Sequence, residues 1–285
     1  MILVCGATGT ISSRVVGELM KSDARVRALV REHKETSGPD KDNVEHVAGD
    51  LAKPETLPQA LDGIETLFLL SPLSSKQVEM EQNLISAAVA NRVKRIVKLS
   101  AMGASLEAPL TFGRIHGEGE NAIRASRLAW TFVRPNMFMQ NLRWYKGALS
   151  QGMLPLPLGN AAVSHVDAED VAAVAARALL SDKHAMKTYT VTGPEALTGE
   201  QVASVLSTSL GKKIVYGSIS TAEFREFLKG TGESDFVVDA ECELFDYWSK
   251  GMGKTVTGDI EHVLGRKPVD LASFARRNAS ELSGS

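Results

Sequence analysis

The chain opens on a short apolar run, Ile2–Cys5, passes at once into Gly6-Ala7-Thr8-Gly9-Thr10-Ile11-Ser12, and continues as a helical stretch from Ser12 to Met20. Few features restrict a fold more. A buried strand, a glycine turn and a helix in that order are the first half of a βαβ unit, whose second strand returns parallel to the first by a right-handed crossover. Gly6 permits the tight turn, and Gly9 lets the backbone come close to a pyrophosphate. The start of the helix, around Thr8, Gly9, Thr10 and Ile11, then offers unpaired N–H groups and the positive end of a helix dipole. The pattern is GxxGxxS: Ser12 stands where a third glycine is usual and is small enough for close helix–strand packing. A lone glycine motif is weak, but this one stands between a strand and a helix at the head of a strand–helix series.

That series sets the fold class. Arg25–Val30, Val44–Ala48, Thr66–Leu70, Arg95–Leu99 and Trp130–Val133 read as strands, with helices at Pro54–Leu61, Lys76–Asn91 and His116–Ala125. The expectation is an α/β fold: a doubly wound Rossmann parallel sheet with a smaller C-terminal α/β substrate lobe. Ser71, Ser100 and Arg134 then fall at strand ends along the carboxyl rim, where such sheets bind ligands. After Arg134 the rhythm loosens. Gly147–Gly159 reads as a loop, Thr188–Val191 and Lys213–Tyr216 as strands, and Asp167–Leu180, Gly199–Leu210, Thr221–Lys229, Phe236–Lys250 and Leu271–Asn278 as helices. The expected division is a dinucleotide-binding core over 1–150 and a lobe over 151–285, interleaved with the core.

Composition removes several alternatives. A net charge of −2 gives no basic field for a nucleic-acid backbone. No apolar run approaches the ~18 residues of a membrane helix. The N-terminus lacks the charged region of a secretory leader. Two cysteines, Cys5 and Cys242, are too few for a disulfide framework, which points to a reducing, cytoplasmic setting. The six histidines are scattered without HExxH or cysteine pairing, so no metal site is expected. There is no GxSxG elbow for an esterase. The Arg276–Arg277 pair reads as a solvated helix face.

VCGATGTISSRVV at 4–16, RIVKLSAMGA at 95–104, WTFVRPNMFMQN at 130–141, HVDAEDVA at 165–172 and GRKPVDLASFA at 265–275 resemble the NmrA-like branch of the atypical short-chain dehydrogenase/reductases. The likeness covers nearly the whole chain. That branch holds quinone, azo-dye and triphenylmethane-dye reductases, ene- and imine-type reductases, and NADP(H)-sensing regulators. The resemblance implies that Asp50 and Leu51 lie by the adenine and that Leu70, Ser71 and Pro72 follow the middle of the cofactor. It also implies a monomer or homodimer.

NADP(H) is the preferred cofactor, with NAD(H) possible. The second strand ends at Arg31, which suits a 2′-phosphate, where NAD sites carry an acidic residue. His33 and Lys34 add positive character, while Glu32 could serve a ribose. The Tyr-x-x-x-Lys pair of typical short-chain reductases is absent; Phe112 and His116 occupy its spacing. His116 is the candidate proton donor, oriented by Glu120 one turn on, or else a structural partner of ribose or backbone. Ser100 and Asn136 complete the catalytic candidates. Met137, Phe138, Asn141, Trp144 and Tyr145 are candidates for the wall of an apolar substrate pocket, with Phe236, Phe245, Tyr247 and Trp248 closing it from the lobe. The expected activity is hydride transfer from NADPH to a small hydrophobic or conjugated electrophile such as a quinone, enone, iminium or dye. A non-catalytic NADP(H)-sensing regulator is the alternative, and the missing tyrosine argues against a sugar-nucleotide epimerase.

Overall fold

The apolar runs of the first half become strands because helices cover both faces of a parallel sheet, so inward and outward residues are equally buried. A computed structural model describes residues 1–31 and 43–283. The chain runs β1 (Ile2–Cys5), α1 (Thr10–Leu19), β2 (Val26–Val30), β3 (Val44–Ala48), α2 (Leu57–Leu61), β4 (Thr66–Leu69), α3 (Gln77–Ala90), β5 (Arg95–Leu99), α4 (Thr111–Ala125) and β6 (Ala129–Pro135). It continues through β7 (Met137–Phe138), α5 (Lys146–Ser150), β8 (Met153–Leu156), β9 (Ala162–Val166), α6 (Ala168–Leu180), β10 (Lys187–Val191), β11 (Ala196–Thr198), α7 (Gly199–Leu210) and β12 (Val215–Ser218). Helices α8 (Thr221–Lys229), α9 (Asp235–Tyr247), α10 (Asp259–Leu264), α11 (Leu271–Arg277) and α12 (Ala279–Ser283) complete it.

Two compact units divide the chain. Residues 1–134 and 171–190 form the first; 135–170 and 191–285 form the second. The first division therefore falls at Arg134 rather than near residue 150, and the chain returns to the first unit once. The seven-stranded sheet has the order β10-β6-β5-β4-β1-β2-β3. Every pairing from β6 to β3 is parallel, with Val4 opposite both Ala28 and Phe68. This is the doubly wound order. It reverses direction between β1 and β4, so the Gly6 loop and the Leu70–Ser71 segment face each other across the switch point. Leu3, Leu67, Ile96, Phe132, Leu84 and Ile123 belong to one apolar core of this unit. Cys5 at the end of β1 is fully enclosed, and burial pushes its thiol up to about 12.

The second unit holds a three-stranded sheet, β11-β9-β7, and a two-stranded parallel ribbon, β12-β8. The expected loop at Gly147–Gly159 is instead α5 followed by β8. Pro155 and Pro157 disguise a two-residue alternation in which Leu154, Leu156 and Leu158 are all fully buried. Proline fits such a two-stranded ribbon, which has only edge strands. The short strands β7, β9 and β11 and the helix α10 also went unread in the sequence.

Helix α4 begins at Thr111, five residues before the expected start at His116. Its glycines obscure the helical signal, yet two of them are required by close packing. A Cβ at Gly113 would lie 2.5 Å from the Ala108 Cβ, and one at Gly117 would lie 2.3 Å from the Ser105 carbonyl carbon. The backbone of 103–108 thus rests directly on the helix. Overpacking of this kind costs roughly 1–3 kcal/mol, so Gly117→Ala is expected to lower stability by about that amount. Gly17→Ala, on the exposed face of α1 with nothing within 4 Å of the new Cβ, is expected to raise it by ~0.5–1 kcal/mol. Urea unfolding of the two variants checks both signs.

Candidate functional site

The first turn of α1 is bare. Gly9 caps the helix without any side-chain hydrogen bond, and no acidic residue stands in that turn. Gly6 takes φ +63°, the left-handed region that favours glycine, and its carbonyl accepts the Gly9 N–H at 2.8 Å. Ser12 is fully buried, and its hydroxyl has no partner. A Cβ on Gly6 would meet that hydroxyl at 3.7 Å. Thr8, Gly9 and Thr10 are exposed, and Ile11 is buried beneath them. Arg14 donates back to the Thr10 carbonyl at 2.7 Å, which sets a cation on the flank of the same turn. Exposed amides, a dipole end and a nearby guanidinium suit phosphate oxygens.

Arg31 follows β2 and is exposed; Glu32, His33 and Lys34 lie outside the described residues. Asp50 accepts the Ala52 N–H at 2.9 Å, and the Leu51 carbonyl accepts from Asn83 at 3.0 Å, so this segment is held in a fixed turn. After β4, Leu70 is half-buried, Ser71 buried and Pro72 exposed.

Two buried carboxylates hold the rim beside these residues. Glu81 on α3 is fully enclosed and accepts from Ser71 at 2.8 Å, from Gln77 at 3.3 Å and from the buried Lys98 ammonium of β5. Its second oxygen, without a hydrogen-bond partner, occupies the place a Cβ of Gly119 would take, 1.9 Å away. Glu120 on α4 is equally enclosed. It accepts from Ser100 at 2.7 Å, from Arg134 at 2.7 and 2.5 Å, and from Arg124 at 3.0 Å. Arg134 also donates to the Ala104 carbonyl at 3.0 Å.

This corrects the expected link between Glu120 and His116. Glu120 binds Ser100 and two arginines, while His116 Nδ1 has no hydrogen-bond partner. Burial first, then the positive charges of Lys98 and Arg134, pull the His116 pKa well below its ordinary value. The imidazole is therefore neutral around pH 7 and is not a cationic acid. The Ser100 hydroxyl proton is engaged by Glu120.

The other candidates belong to the second unit. Asn136 is buried, and its amide donates to Ser164 at 2.7 Å and to the Gly253 carbonyl at 2.9 Å. Both donors serve the fold and neither is available for catalysis. Met137 and Tyr145 are core residues of this unit, as are Phe245 and Trp248. Tyr145 stacks on Phe227 at 5.3 Å. Phe138, Asn141, Phe236 and Tyr247 are half-buried, and Trp144 is exposed. Arg276 and Arg277 are exposed, as a solvated helix face requires, but Arg277 also pairs with the buried Asp167, which accepts from Gln140 at 2.8 Å. Asp170, also fully buried, accepts the Val269 N–H at 2.6 Å and pairs with Arg266. Sequence reading passed over Glu81, Lys98, Asp167 and Asp170, although a lysine inside the apolar strand RIVKL demands a buried counter-charge. Among the described residues, no group of three or more His, Cys, Asp or Glu could hold a metal ion, and no helix is long and apolar enough to cross a membrane.

Comparison with known proteins agrees with this geometry. The profile of the NmrA-like family matches residues 1–271. The chain is 38% identical over 281 residues to an NAD(P)H azoreductase of Xenophilus azovorans, spanning 98% of both chains. It is 36% identical over 283 residues to (4-alkanoyl-5-oxo-2,5-dihydrofuran-3-yl)methyl phosphate reductase of Streptomyces griseus subsp. griseus, again 98% of both. Among solved structures it is similar to the Escherichia coli NADPH-dependent quinone oxidoreductase crystallised with NADPH, with a TM-score of 0.88, 27% identity, and coverage of 97% of this chain and 99% of the other.

His165 carries a measurable consequence. It is 2% exposed and neither ring nitrogen has a hydrogen-bond partner. Burial draws its pKa down to about 4, with the Val163 backbone offsetting only part of the shift. Below pH ~6.5 the unfolded chain binds a proton that the folded chain refuses, so stability falls by up to ~1.4 kcal/mol per pH unit until the folded group titrates. Chemical unfolding between pH 7 and 4.5 is expected to show a shallower loss for His165→Gln than for the unaltered chain.

Proposed function

The chain belongs to the NmrA-like family, and on that premise we propose that it is an NADPH-dependent reductase acting on a small, conjugated, electron-poor acceptor of the quinone, enone, iminium or dye type. The observation that carries the reading is the uncapped first turn of α1, with its orphaned Ser12 hydroxyl, at the switch point of the sheet. The kinship with an NAD(P)H azoreductase and a quinone oxidoreductase supports the reaction class.

In this reading the backbone N–H groups around Gly6, Thr8, Gly9, Thr10 and Ile11 hold the pyrophosphate. Arg31 meets the 2′-phosphate, which makes NADP(H) preferred over NAD(H). Asp50 and Leu51 flank the adenine; Leu70, Ser71 and Pro72 follow the centre of the cofactor; Ser100 and His116 lie by the nicotinamide. When bound, NADPH supplies the hydride. An electron-poor conjugated acceptor takes hydride with little acid assistance, so the protein's work is to align the reactants and exclude water. His116, neutral and buried, offers an N–H hydrogen bond rather than a cationic acid. In the second unit, Phe138, Asn141 and Trp144 retain surface for contact with substrate.

A regulator that binds NADP(H) without turnover is the second reading. The absent Tyr-x-x-x-Lys pair and the two Ser100 and Asn136 donors held by the fold favour it.

Loss of absorbance at 340 nm on mixing NADPH with a panel of quinones, enones, iminium salts and azo or triphenylmethane dyes decides between them. Turnover is expected; tight NADPH binding with no turnover across the panel moves the chain to the second reading. Removing a charge-assisted contact costs ~1.5–3 kcal/mol, or about 10–100-fold in affinity. Arg31→Ala is therefore expected to weaken NADPH binding by that factor while leaving NADH binding nearly unchanged, measured by fluorescence titration.

A further inference from the structure

Two hydroxyl groups end adjacent strands of the sheet, and each is tied in the same way. Ser71 follows β4 and donates its hydrogen bond to Glu81 of α3, and Lys98 of β5 neutralises Glu81. Ser100 follows β5 and donates its hydrogen bond to Glu120 of α4, and Arg134 of β6 neutralises Glu120. The serine, glutamate and cation come from successive elements in both cases. Gly119, next to Glu120, is the residue whose missing Cβ makes room for Glu81. The sequence shows neither grouping, because each serine and each cation lies 10 to 20 residues from the glutamate it meets.

The direction of each bond follows from charge. Glu120 is held by two guanidinium groups, and a carboxylate so held only accepts. Ser100 must therefore donate to it. With its single proton turned inward, the hydroxyl oxygen has only lone pairs left for anything else.

We infer that Glu120 is a positioning residue that acts through Ser100: it fixes the hydroxyl as a pure hydrogen-bond acceptor, so Ser100 receives a donor from the nicotinamide half of NADPH, an amide N–H or a ribose O–H, and never polarises the substrate. This rests on the reading of the site as an NADPH site. It deepens that reading by assigning donor and acceptor roles. Hydrogen-bond donation toward an electron-poor acceptor then falls to His116. It also explains why the substrate class is one that needs little activation.

Glu120→Gln tests the polarity. The two oxygens of Glu120 face different groups: one meets Ser100 and one Arg134 nitrogen, the other meets Arg134 and Arg124. A glutamine keeps its oxygen toward the two guanidinium groups and turns its NH2 toward Ser100. The hydroxyl must then accept from the amide and release its own proton outward, setting donor against donor. NADPH dissociation constants, read by fluorescence or calorimetry, are expected to rise ~10-fold in Glu120→Gln and by a similar factor in Ser100→Ala. The double variant is expected to match Ser100→Ala within about twofold, because the glutamate has nothing left to act through.

Tight binding by the unaltered chain combined with multiplying penalties in the double variant overturns this inference and leaves the proposed function standing. No NADPH binding by the unaltered chain overturns both. Should Glu120→Gln not fold, Ser100→Ala alone decides: an acceptor role places its loss on KM for NADPH, whereas a loss placed on kcat with KM unchanged shows donation in the reaction and refutes the assignment.

Discussion

An ionised carboxylate shut away from water is tolerated only when every charge around it is answered, and the carboxyl rim of this sheet is built on two of them. Glu81 and Glu120 are fully enclosed, and each gathers a strand-end serine and a cation from the next strand. Removing one member of such a pair leaves an uncompensated charge, at a cost of roughly 3–5 kcal/mol. The ends of β4, β5 and β6 are therefore fixed relative to α3 and α4 by more than apolar packing. Gly119 follows from the same constraint, since α4 must leave room there for Glu81, while Gly113 and Gly117 admit the 103–108 backbone.

The second unit uses the same physics for a different end. Asp167 and Asp170, both buried, hold the C-terminal segment through Arg277, Arg266 and the Val269 N–H. These aspartates belong to the HVDAEDVA stretch that marks the family resemblance. Their partners show that this stretch serves architecture in the second unit, along with Gln140 and Asn136.

How much of this was legible in the sequence depended on range. Strand–helix alternation is local, so β1, β3, β5, α7 and α8 were readable residue by residue. The parallel arrangement followed from handedness rules, and the glycine loop located the turn between β1 and α1. What failed was whatever depended on a partner far along the chain. The start of α4 was hidden because glycine is a poor helix former when considered alone, and only the apposed 103–108 backbone makes it necessary. Prolines masked β8 because its pairing with β12 lies some 60 residues away. Glu120 was assigned to His116 on helical spacing, whereas it pairs with Ser100 and Arg134 at the neighbouring strand ends and, on its own helix, with Arg124 rather than His116. Lys98 was visible as an anomaly, a charge in an apolar strand, but the sequence could not say that Glu81 answers it.

The two cysteines bear on the chemical durability of such a protein. Quinones and enones alkylate thiolates, and the reactive species is the thiolate rather than the thiol. Cys5 immediately precedes the glycine turn, yet it is sealed under the sheet's edge with its ionisation pushed far above physiological pH; Cys242 is buried as well. Neither sulfur presents a nucleophile. Under the proposed function, neither cysteine then offers a thiolate for a quinone or enone substrate to alkylate.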